Sequence, residues 1–214
     1  MKTETKTIYD TGAEKYEEIM KTYWYVPRKP FIENLSFQPG EKILSAVVGT
    51  GLDLPYFPQG TYVTGIDISP KMLKVAKKKC SKAWLDLKEM DLHSLNFPDN
   101  YFDAAVLTFT LCVLKDPVKA LKEIIRVTKP NAKIAILDYC KSRNPETIKW
   151  QELFNYHAEN IGFPKDIIAW DSLMDYDKLI YNSSLPIEVK EDYRIESENP
   201  FSTACQIILI NKKS

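Results

Sequence analysis

Two glycines and one acid carry most of the chemistry readable in this chain. Gly49 and Gly51 close the apolar run Ile43-Leu44-Ser45-Ala46-Val47-Val48, and Asp67 closes the next one, Tyr62-Val63-Thr64-Gly65-Ile66. Glycine lets a backbone turn tightly and approach a ligand closely. A carboxylate at the tip of the following strand can accept both hydroxyls of a ribose. The order strand, glycine turn, strand, acid is the first half of a nucleotide-binding α/β sheet. Further along, Thr108 and Phe109 end another apolar run, and Tyr139 follows the next. All three are expected at the carboxyl edge of the sheet, where open α/β sheets bind ligands.

The elements that would position these groups alternate. Ile43 to Val48, Tyr62 to Ile66, Ala83 to Met90, Phe102 to Phe109 and Lys133 to Leu137 read as five strands. Ser69-Pro70 and Asp116-Pro117 are N-cap and first-turn pairs that start helices between them. Met72, Leu73, Val75 and Ala76 form the expected buried face of the first. Val118, Leu121, Ile124, Ile125 and Val127 form that of the second. Alternation of this kind predicts a parallel sheet with helices on both faces. Asn144-Pro145 opens a later helix, and the segments Ile187 to Ile195 and Thr203 to Asn211 read as an antiparallel hairpin. The expected fold is therefore α/β, a Rossmann-like seven-stranded, mostly parallel sheet with a C-terminal antiparallel hairpin. A single domain over 1–214 is expected, with an N-terminal helical cap at 1–36, a core at 37–140 and substrate-side helices plus the hairpin at 141–214.

Composition narrows the partners. The chain has 214 residues, 44% of them hydrophobic, enough for one sizeable core. Its 29 basic and 29 acidic residues give a net charge of +0, so no overall field draws it to nucleic acid. A small molecule is the expected partner. No apolar run reaches transmembrane length, and the polar start Met1-Lys2-Thr3-Glu4-Thr5-Lys6 has no signal-peptide character. A cytoplasmic location follows as the expectation. Cys80, Cys112, Cys140 and Cys205 show no zinc spacing, and no metal centre is expected. Cys112 and Cys140 do follow neighbouring strands, which would bring both thiols toward one pocket, where they would suit a soft metal.

These motifs, in this order from Thr7 to about Tyr139, resemble the class I S-adenosylmethionine-dependent methyltransferases, in particular the ubiquinone-biosynthesis-like and phospholipid-methylating branches. Ile43 to Gly51 is similar to the family's first motif, and Val63 to Ser69 to its second, with Asp67 as the ribose ligand. Met90-Asp91-Leu92-His93 resembles the stretch that contacts adenine. The resemblance implies S-adenosyl-L-methionine as cofactor. It places Asp91 at the adenine amino group and Ile68, Met72 and Leu92 along the adenine slot. It places Thr108 at the methionine part and Tyr16, with Tyr9 as second candidate, over the sulfonium, whose charge suits an aromatic face. A dinucleotide dehydrogenase fits less well, because Gly51 is followed by Leu52-Asp53-Leu54-Pro55 with no third glycine.

Two residues depart from the family pattern. Ser45 stands where the first motif has an acid, and Val47 stands where it has its first glycine. Ser45 and Val47 nevertheless belong to the expected cofactor loop. Valine is β-branched and disfavours positive φ. The expected activity is methyl transfer to an O, N or S atom of a small, apolar or lipid-like molecule. The altered loop leaves open a second expectation, a non-catalytic or altered-chemistry protein that binds the same cofactor. Methyl transfer from a sulfonium has an excellent leaving group, so positioning and desolvation do most of the work. No strict catalytic residue is predicted; Tyr139 and His157 are the candidates for a proton acceptor.

Overall fold

A computed structural model describes residues 28–140, 142, 144–149, 176–181, 184–195 and 205–213. Helix α1 (Arg28–Asn34) precedes β1 (Lys42–Ala46), β2 (Tyr62–Asp67) and α2 (Pro70–Ala76). Then come β3 (Trp84–Glu89), β4 (Phe102–Thr108), α3 (Pro117–Val127) and β5 (Thr128–Tyr139). The strands β6 (Ile187–Ile195) and β7 (Cys205–Lys212) close the sheet. The order is β3-β2-β1-β4-β5-β7-β6. The five strands from β3 to β5 pair in parallel, whereas β7 runs antiparallel to both β5 and β6.

Alternation along the strands sorts side chains onto two cores. Ile43, Val63, Val106 and Leu137 face one layer with Phe31 and Ile32 of α1 and Leu73 of α2. Leu44, Ile66, Leu107 and Ile136 face the other with Leu121 and Ile124 of α3. Central strands apolar on both faces are what a sheet covered by helices on both sides requires.

Capping sets where the helices begin. The Ser69 hydroxyl accepts from the Met72 amide at 3.1 Å, with Pro70 as the first helical residue. The Asp116 carboxylate accepts from the Lys119 amide at 2.9 Å, with Pro117 in the same place. Each satisfies an amide that the helix cannot. The buried faces differ slightly from those expected. Val75 is only half-buried, and Val118 is exposed, its place on α3 taken by Ala120. Position 118 lies in the first turn of the helix. The short segment 145–149 is helical, and the side chain of Asn144 just before it accepts from the Glu146 amide at 2.9 Å. No helix among the described residues is long and apolar enough to cross a membrane.

Candidate functional site

The strand order reverses between β1 and β4. A cavity of about 380 Å³ opens at the carboxyl ends of these strands, lined by residues of the loops that follow β1, β2, β3 and β4. Open sheets bind ligands at such a reversal, and the volume suits a small molecule.

The loop after β1 keeps a left-handed path. Val47 has φ +55°, Gly49 +55° and Gly51 +78°. For a residue with a Cβ that conformation costs roughly 1–2 kcal/mol. It is held by neighbouring bonds: the Val48 amide donates to the Ile66 carbonyl at 2.7 Å, and the Gly49 amide donates to Asp67 Oδ2 at 2.9 Å. The Val47 side chain is half-buried against the α3-side core and forms part of the cavity wall. The two glycines do different work. A carbon added at Gly49 meets no protein atom within 4 Å, so the backbone there faces the cavity bare. A carbon added at Gly51 would lie 2.7 Å from Leu54 Cδ1 and 3.1 Å from Ala76. Gly51 therefore permits the loop to pack on α2 and does not line the cavity. Ser45 does not line it either; it is a buried residue of β1, beside Gly65 and Val106.

Asp67 is buried, and both oxygens are oriented by backbone. Oδ2 accepts from Gly49, and Oδ1 accepts from the Ser69 amide at 2.8 Å. One carboxylate thus ties the glycine loop to the second strand while facing the cavity. Ile68, Met72 and Leu92 line the same side, with Asp91 beside them. Asp91 Oδ1 accepts from the His93 amide at 2.9 Å and lies 2.8 Å from His93 Nδ1. His93 itself lines the cavity, in keeping with its place in the stretch that resembles the adenine-contacting motif.

On the other side of β1 from β2 and β3, Thr108 ends β4 and Phe109 follows it, both on the cavity wall. The Thr108 hydroxyl donates to Asp53 Oδ2, so its proton is directed away from the cavity toward a buried acid. Asp53 also holds Arg28 Nη1 at 2.8 Å, and the Arg28 guanidinium stands 4.7 Å above the Phe109 ring. Arg28 lines the cavity. Reading the sequence alone misses this group, because its members are far apart in the chain and only the fold brings them together.

Tyr139 is not on the cavity wall. It is buried, with its ring centroid 4.3 Å from that of Phe109, which stands between it and the cavity. Strand alternation turns residue 139 toward the α1-side core. Cys112 and Cys140 are buried in different core layers, and neither lines the cavity. The candidates Tyr9, Tyr16 and His157 lie outside the described residues.

The fold and site define a nucleotide-binding domain of the methyltransferase type. Residues 44–136 match the family model described as a methyltransferase domain. The chain is 31% identical over 159 residues to a demethylmenaquinone methyltransferase of Paenarthrobacter aurescens, covering 71% of this chain and 60% of that one. It is 36% identical over 136 residues to a phosphatidylethanolamine N-methyltransferase of Cereibacter sphaeroides, covering 62% and 63%. The matched stretch thus spans less than two thirds of these relatives. Among solved structures, the [4+2]-cyclase SpnF superposes with a TM-score of 0.69 at 16% identity, covering 100% of this chain and 97% of that one, a likeness of fold. Residues 44–136 thus carry a methyltransferase domain of the class I, S-adenosylmethionine-dependent type, whose cofactor is S-adenosyl-L-methionine.

Proposed function

We propose that this chain binds S-adenosyl-L-methionine in the cavity and transfers its methyl group to an O, N or S atom of a small, apolar or lipid-like acceptor. The observation that carries this reading is the joint placement of Asp67 and the bare backbone of Gly49 on one cavity wall. These residues fit the cofactor. Asp67 is a pre-oriented acceptor for a ribose diol, and Ile68, Met72 and Leu92 offer an apolar slot for a base. When bound, the cofactor supplies an electrophilic methyl on a sulfonium. The chain's own residues orient it and exclude water.

The acceptor side is supported by Leu52, Phe109, Val113 and Leu114, which make that part of the wall apolar. Two of the relatives, a demethylmenaquinone methyltransferase and a phosphatidylethanolamine N-methyltransferase, support the same chemical class of acceptor. Asp67 and Asp116 on the wall are engaged by backbone amides, and Asp91 by His93. Catalysis by positioning and desolvation accords with that arrangement. A cytoplasmic setting agrees with four cysteines that form no disulfide among the described residues.

The test is calorimetric titration with S-adenosylmethionine and S-adenosylhomocysteine, followed by mass spectrometry of candidate quinol, phenol and amine acceptors. Saturable binding and a gain of one methyl are expected; absence of binding to either ligand would overturn the reading. Val47 offers a second measurement. Removing its side chain frees wall space beside the loop, so Val47→Gly is expected to raise affinity for the cofactor roughly two- to tenfold. An unchanged or weaker affinity would mean that the valine does not crowd the ligand.

A further inference from the structure

Charge is unevenly spread along a chain whose net charge is +0. From Ser69 to Leu85 there are six lysines, no acid and no arginine. Lys74, Lys77, Lys78 and Lys82 are exposed. No carboxylate among the described residues lies within ion-pair distance of these four. The fold gathers them at one end of the sheet. β2 and β3 are parallel neighbours, so α2, which connects them, runs back along the strands toward their amino edge. Lys77, Lys78 and Lys82 follow the end of that helix, and Trp84 then opens β3.

Two aromatic rings stand at the same edge. Tyr62 opens β2 and is the register partner of Trp84, so both side chains leave the same face of the sheet. They are 52% and 66% exposed, and Trp84 is the most exposed large hydrophobic side chain among the described residues. Single exposed apolar residues are ordinary, but an adjacent Trp and Tyr beside unpaired lysines form a patch with a chemical character. Trp and Tyr carry an apolar body and a polar tip, which suits the headgroup layer of a bilayer. Lysine is a compact point charge on a long stem, suited to diffuse attraction by an anionic surface. Arginine, whose planar fork reads phosphates and base edges with fixed geometry, does not occur in the segment, which favours a lipid surface over a nucleic acid. The cavity opens at the carboxyl ends of the strands, away from this edge.

We propose that the amino-edge patch docks the protein on an anionic lipid bilayer, with Trp84 and Tyr62 in the headgroup layer and Lys74, Lys77, Lys78 and Lys82 facing the negative surface. A docked chain keeps its cavity open to water, so docking and cofactor binding are separable, and the proposal does not rest on the cofactor reading. The full chain is sedimented with vesicles of phosphatidylcholine alone and of phosphatidylcholine with about one-third phosphatidylglycerol. Binding to the second and not to the first is expected, and it should weaken as salt rises. Each lysine near an anionic leaflet contributes roughly fivefold in affinity, so changing all four to Gln should weaken binding about a hundredfold. Anionic vesicles with brominated acyl chains should quench tryptophan fluorescence in the unaltered chain. The quenching should be lost in Trp84→Phe, which keeps Trp24, Trp150 and Trp170 and still binds. Because the altered side chains are exposed, thermal melts and S-adenosylhomocysteine titrations of the variants should match those of the unaltered chain. Binding to neither vesicle, binding that survives the loss of all four lysines, or quenching that persists in Trp84→Phe would overturn the proposal. So would a uridine oligonucleotide that binds more tightly than the vesicles through the same lysines, which would make the patch a nucleic-acid surface.

Discussion

Asp67→Ala is expected to lower affinity for S-adenosylhomocysteine by at least a hundredfold. The carboxylate is buried at the cavity wall and already points two lone pairs at the backbone amides of Gly49 and Ser69. A carboxylate oxygen accepts more than one hydrogen bond, so a ribose hydroxyl can be received beside these amides. Hydrogen bonds to a charged group contribute roughly 1.5–3 kcal/mol each, so losing two accounts for about two orders of magnitude or more. The variant also loses the tie between the glycine loop and β2, and with it the orientation of the Gly49 backbone. Calorimetry measures the affinity, and circular dichroism with thermal melting checks that the sheet survives. If a folded variant binds within threefold of the unaltered chain, Asp67 serves the turn alone and the ribose assignment is wrong.

How far the sequence announces this architecture depends on how local the signal is. The central strands β1, β4 and β5 show as apolar runs because they are buried on both faces, and the caps at Ser69-Pro70 and Asp116-Pro117 act within one turn of themselves. Gly49 and Asp67 are readable for the same reason: their chemistry is attached to strand ends. Val47 is the harder case. Its side chain argues against positive φ, yet the backbone stays at +55° because the amides that follow it are bound to Ile66 and Asp67. Tertiary bonds override a local preference of a few kcal/mol. Tyr139 fails in the opposite direction. Its position after a strand suggests the cavity, but one step of strand alternation decides between cavity and core, and a residue-by-residue pattern at a strand end does not fix that step. Thr108 is readable as a strand end, but its link to Asp53 and Arg28 leaves no sequence signal, since nothing local marks a contact between α1, the first loop and β4.

Asp138 is the largest such omission, and Asp138→Ala is expected to cost about 3–5 kcal/mol of stability. The apolar run of β5 fades at Leu137, but the strand extends to Tyr139, and the fully buried Asp138 lies within it. Its Oδ2 accepts from the amides of Thr110, Leu111 and Cys112 at 3.1, 2.7 and 3.2 Å, and its Oδ1 from the Tyr139 amide at 2.8 Å. One side chain thus satisfies the whole turn after β4. Alanine would strand these buried donors, each at a cost of roughly 1–3 kcal/mol that neighbours share incompletely. In a chain of this size that lowers the melting temperature by on the order of 10 °C. The same turn delivers Val113 and Leu114 to the cavity, so activity should fall as well. Burial pushes the Asp138 carboxyl up from its ordinary value of 3.8, against the partial relief given by the Cys112 thiol and the surrounding amides. The folded state therefore holds this proton more tightly than the unfolded chain. The resulting stabilisation is complete below the ordinary value and fades as pH rises through the raised one. Asp103 and Glu123, whose carboxyls are held low by Lys129 and Arg126, act in the opposite sense, but equally in both proteins. Urea melts of the two proteins, compared from pH 4 upward, should show their stability difference shrinking with pH and then levelling. A difference under 1 kcal/mol throughout, or one that grows with pH, would show that the turn finds its acceptors elsewhere.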